Sequence, residues 1–243
     1  MAANEMQPTG RLLVERDSST GQCILLVKDA NGAVGVSSTE VFALSEDFAA
    51  GTNTSGQIGT HGWVFNSGTI AAQASVANHI GITRHSTTGT SGAHSSLVMG
   101  AGSAQAIIPM GASGGTWIIK PTQIDANTVI RCGLMNSLTA TPTAGQYFER
   151  LGADTNWFAV TQHASSPTRV DSLIAATTDW IRFDIVRTAS TSVVFSINGS
   201  VVATITDTIT STGCFVGFQI VPTENVSKSM DLDFCKFYMP LTR

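Results

Sequence analysis

The chain has 243 residues, enough for one large domain or two small ones and for a substantial buried core. Hydrophobic residues make up 42% and charged residues only 12%, about half the usual quarter, while Ser, Thr and Gly together fill 79 positions, about a third of the chain. A positive mean hydropathy and a net charge of −4 exclude charge-driven disorder, and 13 Lys and Arg against 17 Asp and Glu leave no basic stripe for nucleic acid.

The first 38 residues hold two apolar runs, RLLVERD and CILLVKD, separated by Ser and Gly and followed by ANGAVGVSS. They predict a hairpin arm that packs on the main domain or on a neighbouring chain, because a lone hairpin is marginal in water. The arm is placed at residues 1–46 and the main domain at 47–243. Within Thr39–Gly51, TEVFALSEDFAAG is the best candidate for a short helix or turn, with Gly51 placed to stop it.

From Phe48 to Ile119 there are 72 residues, and Arg84 is the sole Asp, Glu, Lys or Arg among them. Ser, Thr, Asn and Gly interrupt the apolar residues throughout, so no stretch of about 18 apolar residues forms a membrane span. The N-terminal MAANEMQPTGRLLVERD lacks the basic start and apolar core of a secretory signal, which makes folding in a cytosol the expectation. The Ala-rich TIAAQASVANH is enclosed by Gly and diluted by Thr, Ser and Val, and is read as strand.

From about residue 52 to 243, HGWVFN, GTWIIKP, TVIRCGLM, QYFERLG, NWFAVTQ, DWIRFDIVR, SVVFSI, VVATIT, GCFVGFQIV and MDLDFCKFYM alternate with turn residues. This spacing predicts an all-β fold, a two-sheet antiparallel β-sandwich. Asn198-Gly199 in SVVFSINGSVVATI supplies the two positive-φ positions of a type I′ turn, pairing Ile197 with Ser200 and setting Phe195 opposite Val202. Phe183 and Ile185 alternate with Arg182 and Asp184, giving that strand a dry and a wet side.

The search for chemistry is largely negative. His61, His79, His85, His94 and His163 have neither the close spacing nor the local carboxylate of a zinc site. Cys23, Cys132, Cys214 and Cys235 lie far apart and are read as buried reduced thiols. The strand-turn-helix context that the Gly-x-Ser-x-Gly elbow of a serine hydrolase needs is absent. Asp231 and Asp233 form the one alternating acidic pair comparable with that of a sandwich glycosidase, and are read instead as an exposed strand face with Leu232 and Phe234 inward. Trp63, Trp117, Trp157 and Trp180, with Tyr147 and Tyr238, could include a sugar-stacking platform, but each Trp stands among apolar strand residues and core packing is preferred. No catalytic, cofactor-binding or metal-ligating residue is assigned.

The succession Arg131-Cys132-Gly133-Leu134, GQYFER, NWFAVTQHASSPTRVDS, DWIRFDIVR, VVFSINGSVVATITDTI and LDFCKFYM resembles a recurrent module of bacteriophage virion proteins, with HGWVFNSGTI and HIGITRHSTTGTSGA resembling its opening strand and Gly-rich stretch. The similarity spans roughly residues 57 to 241. It implies a concanavalin A-like jelly roll and a non-enzymatic role in a virion, as tail fibre, baseplate appendage or capsid decoration assembled in the host cytoplasm. Sheet edges without charge imply partners: a homo-oligomer, with a trimer favoured, and other virion proteins. The competing expectation is a glycan-binding adhesin module recognising a host surface.

Overall fold

The computed structural model of the protein describes residues 11–16, 23–28, 34–36, 40–48, 57–59, 63–99, 113–137, 139–189 and 191–241. Every regular element among them is a strand. Among these residues no helix is long and apolar enough to cross a membrane. The chain divides into two compact units, Met1–Phe42 with Pro240–Arg243, and Ala43–Met239.

In the first unit β1 (Arg11–Arg16) and β2 (Cys23–Lys28) pair antiparallel, with Arg11 opposite Lys28 and Arg16 opposite Cys23. A third strand, β3 (Val34–Val36), joins the free side of β2, so the expected hairpin is a three-stranded sheet. Val34–Val36 supplies a second ladder, which helps a sheet too small to persist as two strands.

The second unit is a sandwich of two antiparallel sheets. The short helix or turn expected over Thr39–Gly51 is not formed in its described part: Glu40–Glu46 is a strand, β4, paired with the C-terminal strand, while Thr39 and residues 49–51 lie outside the described residues. Cross-strand pairing overrides a weak local helical preference in this segment.

Along the chain the other strands are β5 (Gln57–Ile58), β6 (Trp63–Asn66), β7 (Thr69–Ala72), β8 (Thr83–Ser86), β9 (Ser95–Val98), β10 (Ser113–Pro121), β11 (Thr128–Met135) and β12 (Gly145–Arg150). They continue with β13 (Asn156–His163), β14 (Ser166–Ala175), β15 (Ile181–Ala189), β16 (Ser192–Ile197), β17 (Ser200–Ile205), β18 (Phe215–Pro222) and β19 (Ser229–Leu241). The first sheet runs β17-β16-β15-β10-β19-β8-β7, with β4 on β19; the second runs β14-β13-β12-β11-β18-β9-β6-β5. Only the start of the Ala-rich stretch is strand, namely β7. The rest is a loop with one bridge, Val76 to His79.

The core is aromatic. Phe148 from the second sheet stacks on Phe183 from the first with centroids 4.4 Å apart, and Trp157 meets the same ring edge-on at 4.9 Å. Trp63, Trp117, Trp157, Phe148, Phe183, Phe195, Phe218 and Phe237 are all fully buried, and large rings of this kind dominate core energetics.

The Asn198-Gly199 turn has φ values of 50° and 84° and pairs Ile197 with Ser200 as expected. Phe195, however, faces Ala203 rather than Val202, because a bulge follows between Phe195 and Ser196. The extra residue returns Ala203, 9% exposed, to the core side and leaves Val201 64% exposed. On β15, Phe183 and Ile185 are buried and Arg182 is exposed.

Candidate functional site

The outward face of the first sheet carries a row of side chains fixed by register. Lys120 on β10 is opposite Asp231 on β19, Asp231 is opposite Arg84 on β8, and Arg84 is opposite Ala71 on β7. The inward neighbours Ile119, Leu232 and Thr83 are buried. Arg84 donates to both carboxylate oxygens of Asp231, from Nε at 2.7 Å and from Nη2 at 2.9 Å. This bidentate grip fits the planar guanidinium fork, and the hydrogen bond to Asp231 raises the Arg84 pKa further.

One residue along, the ladder slips between Ile118 and Ile119, so that Asp233 is an extra residue on β19. Bulges of this kind re-aim side chains. The Asp233 carboxylate lies 2.8 Å from Nδ1 of His79, and the His79 imidazole lies flat on Trp180, with centroids 4.1 Å apart and 15° between planes. His79 is held from its other side by the loop's own backbone: it exchanges two hydrogen bonds with Val76 around Asn78, whose φ is 67°. Arg84, Lys120, Asp231 and Trp180, together with Pro121, Thr122, Thr178 and Asp179, line a cleft of about 440 Å³. That size lies in the ordinary range of small-ligand sites.

The expectation that Asp231 and Asp233 form an exposed face with Leu232 and Phe234 inward needs correction. Leu232 is inward, but both carboxylates are only 6% exposed and both are paired. Phe234 is half-buried, while Cys235 and Phe237 take the core positions. The bulge at Asp233 inverts the alternation beyond it. The Trp residues also divide. Trp63, Trp117 and Trp157 are core residues, whereas Trp180 stands half-buried at the cleft, just before β15.

His85 has a Ser partner, but not the arrangement of a nucleophile pair. Ser95 Oγ is 2.8 Å from His85 Nε2 and donates to the Ser67 carbonyl at 2.7 Å. With the hydroxyl proton directed there, Nε2 is the donor to Oγ, and Nδ1 has no partner among the described residues. A general base needs the reverse polarity and a carboxylate on Nδ1. Both side chains are fully buried, and burial pushes the His85 pKa down to about 4.

His94 is half-buried with a lowered pKa, from desolvation first and the Arg131 charge second. His163 is exposed, and His61 lies outside the described residues. Among the described residues no three His, Cys, Asp or Glu are grouped to hold a metal. Cys132, Cys214 and Cys235 are free and buried, and burial raises all three thiol pKa values. Cys23 has no described side chain.

The outward face of the second sheet carries a polar network that sequence reasoning missed. Arg131 Nε donates to Glu149 at 2.7 Å and Nη1 to Gln219 at 2.7 Å; Glu149 also accepts from Arg169 at 3.1 Å, and Arg169 pairs with Asp154. Arg169 lies over the Phe158 ring at 3.5 Å. Arg131 and Glu149 are 4% and 6% exposed. Gln219 Nε2 donates to the Ala140 carbonyl, tying the 136–144 loop over this face. Tyr147 donates to Gln162 at 2.6 Å.

No protein-family model matches the chain. No curated protein matches it either. Solved structures do. A protein of unknown function from Shewanella oneidensis MR-1 superposes with a TM-score of 0.63 at 17% identity, over 85% of this chain and 90% of that one. A carbohydrate esterase from the Shiga toxin-encoding bacteriophage phi24B gives 0.53 at 15% identity, over 82% and 99%. The carbohydrate recognition domain of Emp47p gives 0.54 at 10% identity, over 81% and 95%. At these identities the likeness is one of fold, and with the two antiparallel sheets it defines the chain as a jelly-roll β-sandwich.

Proposed function

We propose that this protein is a non-enzymatic glycan-binding module whose binding site is the cleft beside Trp180. The observation that carries this reading is the placement of Trp180. Three of the four Trp residues pack in the core, and the fourth is braced by His79 at the wall of a cleft otherwise lined, apart from Pro121, by hydroxyls, carboxylates and cations. An indole gives a pyranose ring an apolar surface, and the surrounding Thr122, Thr178, Asp179 and Lys120 offer directional hydrogen bonds to its hydroxyls. Two solved structures of similar fold, the phage carbohydrate esterase and the Emp47p carbohydrate recognition domain, support the same class of ligand.

The absence of turnover is part of the proposal. Asp231 is held by a bidentate bond from Arg84 and Asp233 by His79, which favours a positioning role for both over that of a glycosidase proton donor or nucleophile. The test is a glycan array probed with the whole chain and with Trp180→Ala. Binding by the wild type that is lost in the variant is expected; binding unchanged by the substitution would place the site elsewhere.

A second reading is a structural role in a larger assembly, with a phage particle as the setting and a homo-oligomer as the form. It is favoured by β17, an edge strand among the described residues whose sequence SVVATI has no charge and no Pro and leaves Val201 exposed. Such an edge invites pairing. Sedimentation at micromolar concentration that finds only monomer would remove the self-association.

A further inference from the structure

The charges lining the cleft indicate what kind of glycan it takes, an inference that rests on the glycan-binding reading above. Asp231 is 6% exposed and spends both carboxylate oxygens on Arg84. Arg84 spends only Nε and Nη2, and Nη1 has no partner among the described residues. Its side chain is 40% exposed and is held in one orientation by the carboxylate behind it. Lys120, the next residue of the same cross-strand row, lines the cleft with no ion pair among the described residues. The uncommitted groups are therefore an ammonium and one guanidinium nitrogen, both presented from a rigid sheet, against one carboxylate, the exposed Asp179 in the turn before β15.

We propose that the cleft selects an anionic saccharide, with its sugar ring against Trp180 and its acidic group accepting hydrogen bonds from Lys120 Nζ and Arg84 Nη1. Arg84 is the sole charged residue between Phe48 and Ile119, so the strand that reaches this cleft carries its one cation here. The bidentate bond from behind fixes the guanidinium before ligand arrives, which lowers the ordering cost of binding. A charge-assisted bond to a carboxylate or sulfate is roughly twice as strong as a neutral one. Asp179 opposes the same ligand, and its removal should help.

The experiment is an array of neutral, uronate-bearing, sialate-bearing and sulfated oligosaccharides, followed by titration of the best acidic ligand and of its neutral methyl ester or desulfated form. Wild type is expected to bind the acidic form about tenfold or more tightly. Lys120→Gln should remove most of that preference and Asp179→Asn should increase it, both at surface positions whose change leaves the fold intact. Equal affinity for acidic and neutral forms overturns the anionic preference and leaves glycan binding standing. Binding indifferent to both Lys120→Gln and Trp180→Ala removes the cleft as the site, and no binding to any saccharide overturns both proposals.

Discussion

On the second sheet Arg131 and Glu149 are 4% and 6% exposed, and each is held by two partners beneath a loop tied down through Gln219. On the first sheet Asp231 is as deeply buried, but the side chain of its partner Arg84 is 40% exposed at an open cleft. The same Arg–carboxylate chemistry thus does two jobs. Where both members are covered, the network fixes one loop and one register, and no charge is left over. Where one member reaches water, the buried carboxylate acts as a brace that presents a cation. Exposure of the partner, more than the presence of the pair, separates scaffold from site.

That contrast can be broken from the covered side first. Glu149→Gln leaves the buried Arg131 guanidinium without its counter-charge, and Arg131 has no route to solvent. A loss of about 3–5 kcal/mol in chemical denaturation is expected, with unchanged cleft binding. A loss below about 1 kcal/mol would show that the covered network behaves like a surface pair.

The contrast also appears within two consecutive residues of β8, where Arg84 points out and His85 is fully buried. Folded His85 holds a pKa of about 4 against 6.5 in an exposed chain. Between those values the unfolded chain binds more protons than the folded one, so stability falls as the pH drops from 6.5 towards 4. The full effect below about pH 4 is about 3 kcal/mol, and it vanishes above pH 6.5. Denaturation measured across this range in wild type and in His85→Gln should show the His85 component of the slope disappear in the variant. Asp231→Asn, on the open side, is expected to cost only about 1 kcal/mol, since Arg84 can turn to water once released.

Much of this fold is legible in the sequence, and the site is not, for one physical reason. Local rules carry what depends on neighbours in the chain: Asn198-Gly199 fixes the Ile197–Ser200 pair, and the period of two puts Phe183 and Ile185 inward. They fail where a partner strand decides. The bulges that set Phe195 against Ala203 and swing Asp233 outward each place one extra residue against a partner strand, and β4 is a strand because β19 offers it a ladder. The cleft unites Arg84, Lys120, Trp180 and Asp231 through pairings of β19 with β8 and β10 and of β10 with β15, and His79 reaches it by stacking on Trp180. Arg84 stands out in the sequence as a lone charge, but nothing near it in the chain points to Asp231, 147 residues away.

The finest test concerns His79 and Trp180, the contact that the contrast assigns to presentation rather than to stability. The imidazole is stacked on the indole at 4.1 Å and anchored by Asp233, but both rings remain partly accessible and Ile80 next to them is 69% exposed. A double-mutant cycle on His79→Ala and Trp180→Ala, read by chemical denaturation, should give a coupling of about 0.5–1 kcal/mol, as for other aromatic pairs outside a core. His79→Ala should also weaken ligand binding without removing it, because the indole stays in place but loses its brace. A coupling above about 2 kcal/mol would make the stack part of the core, and the line between the braced site and the buried scaffold would then have to be drawn elsewhere.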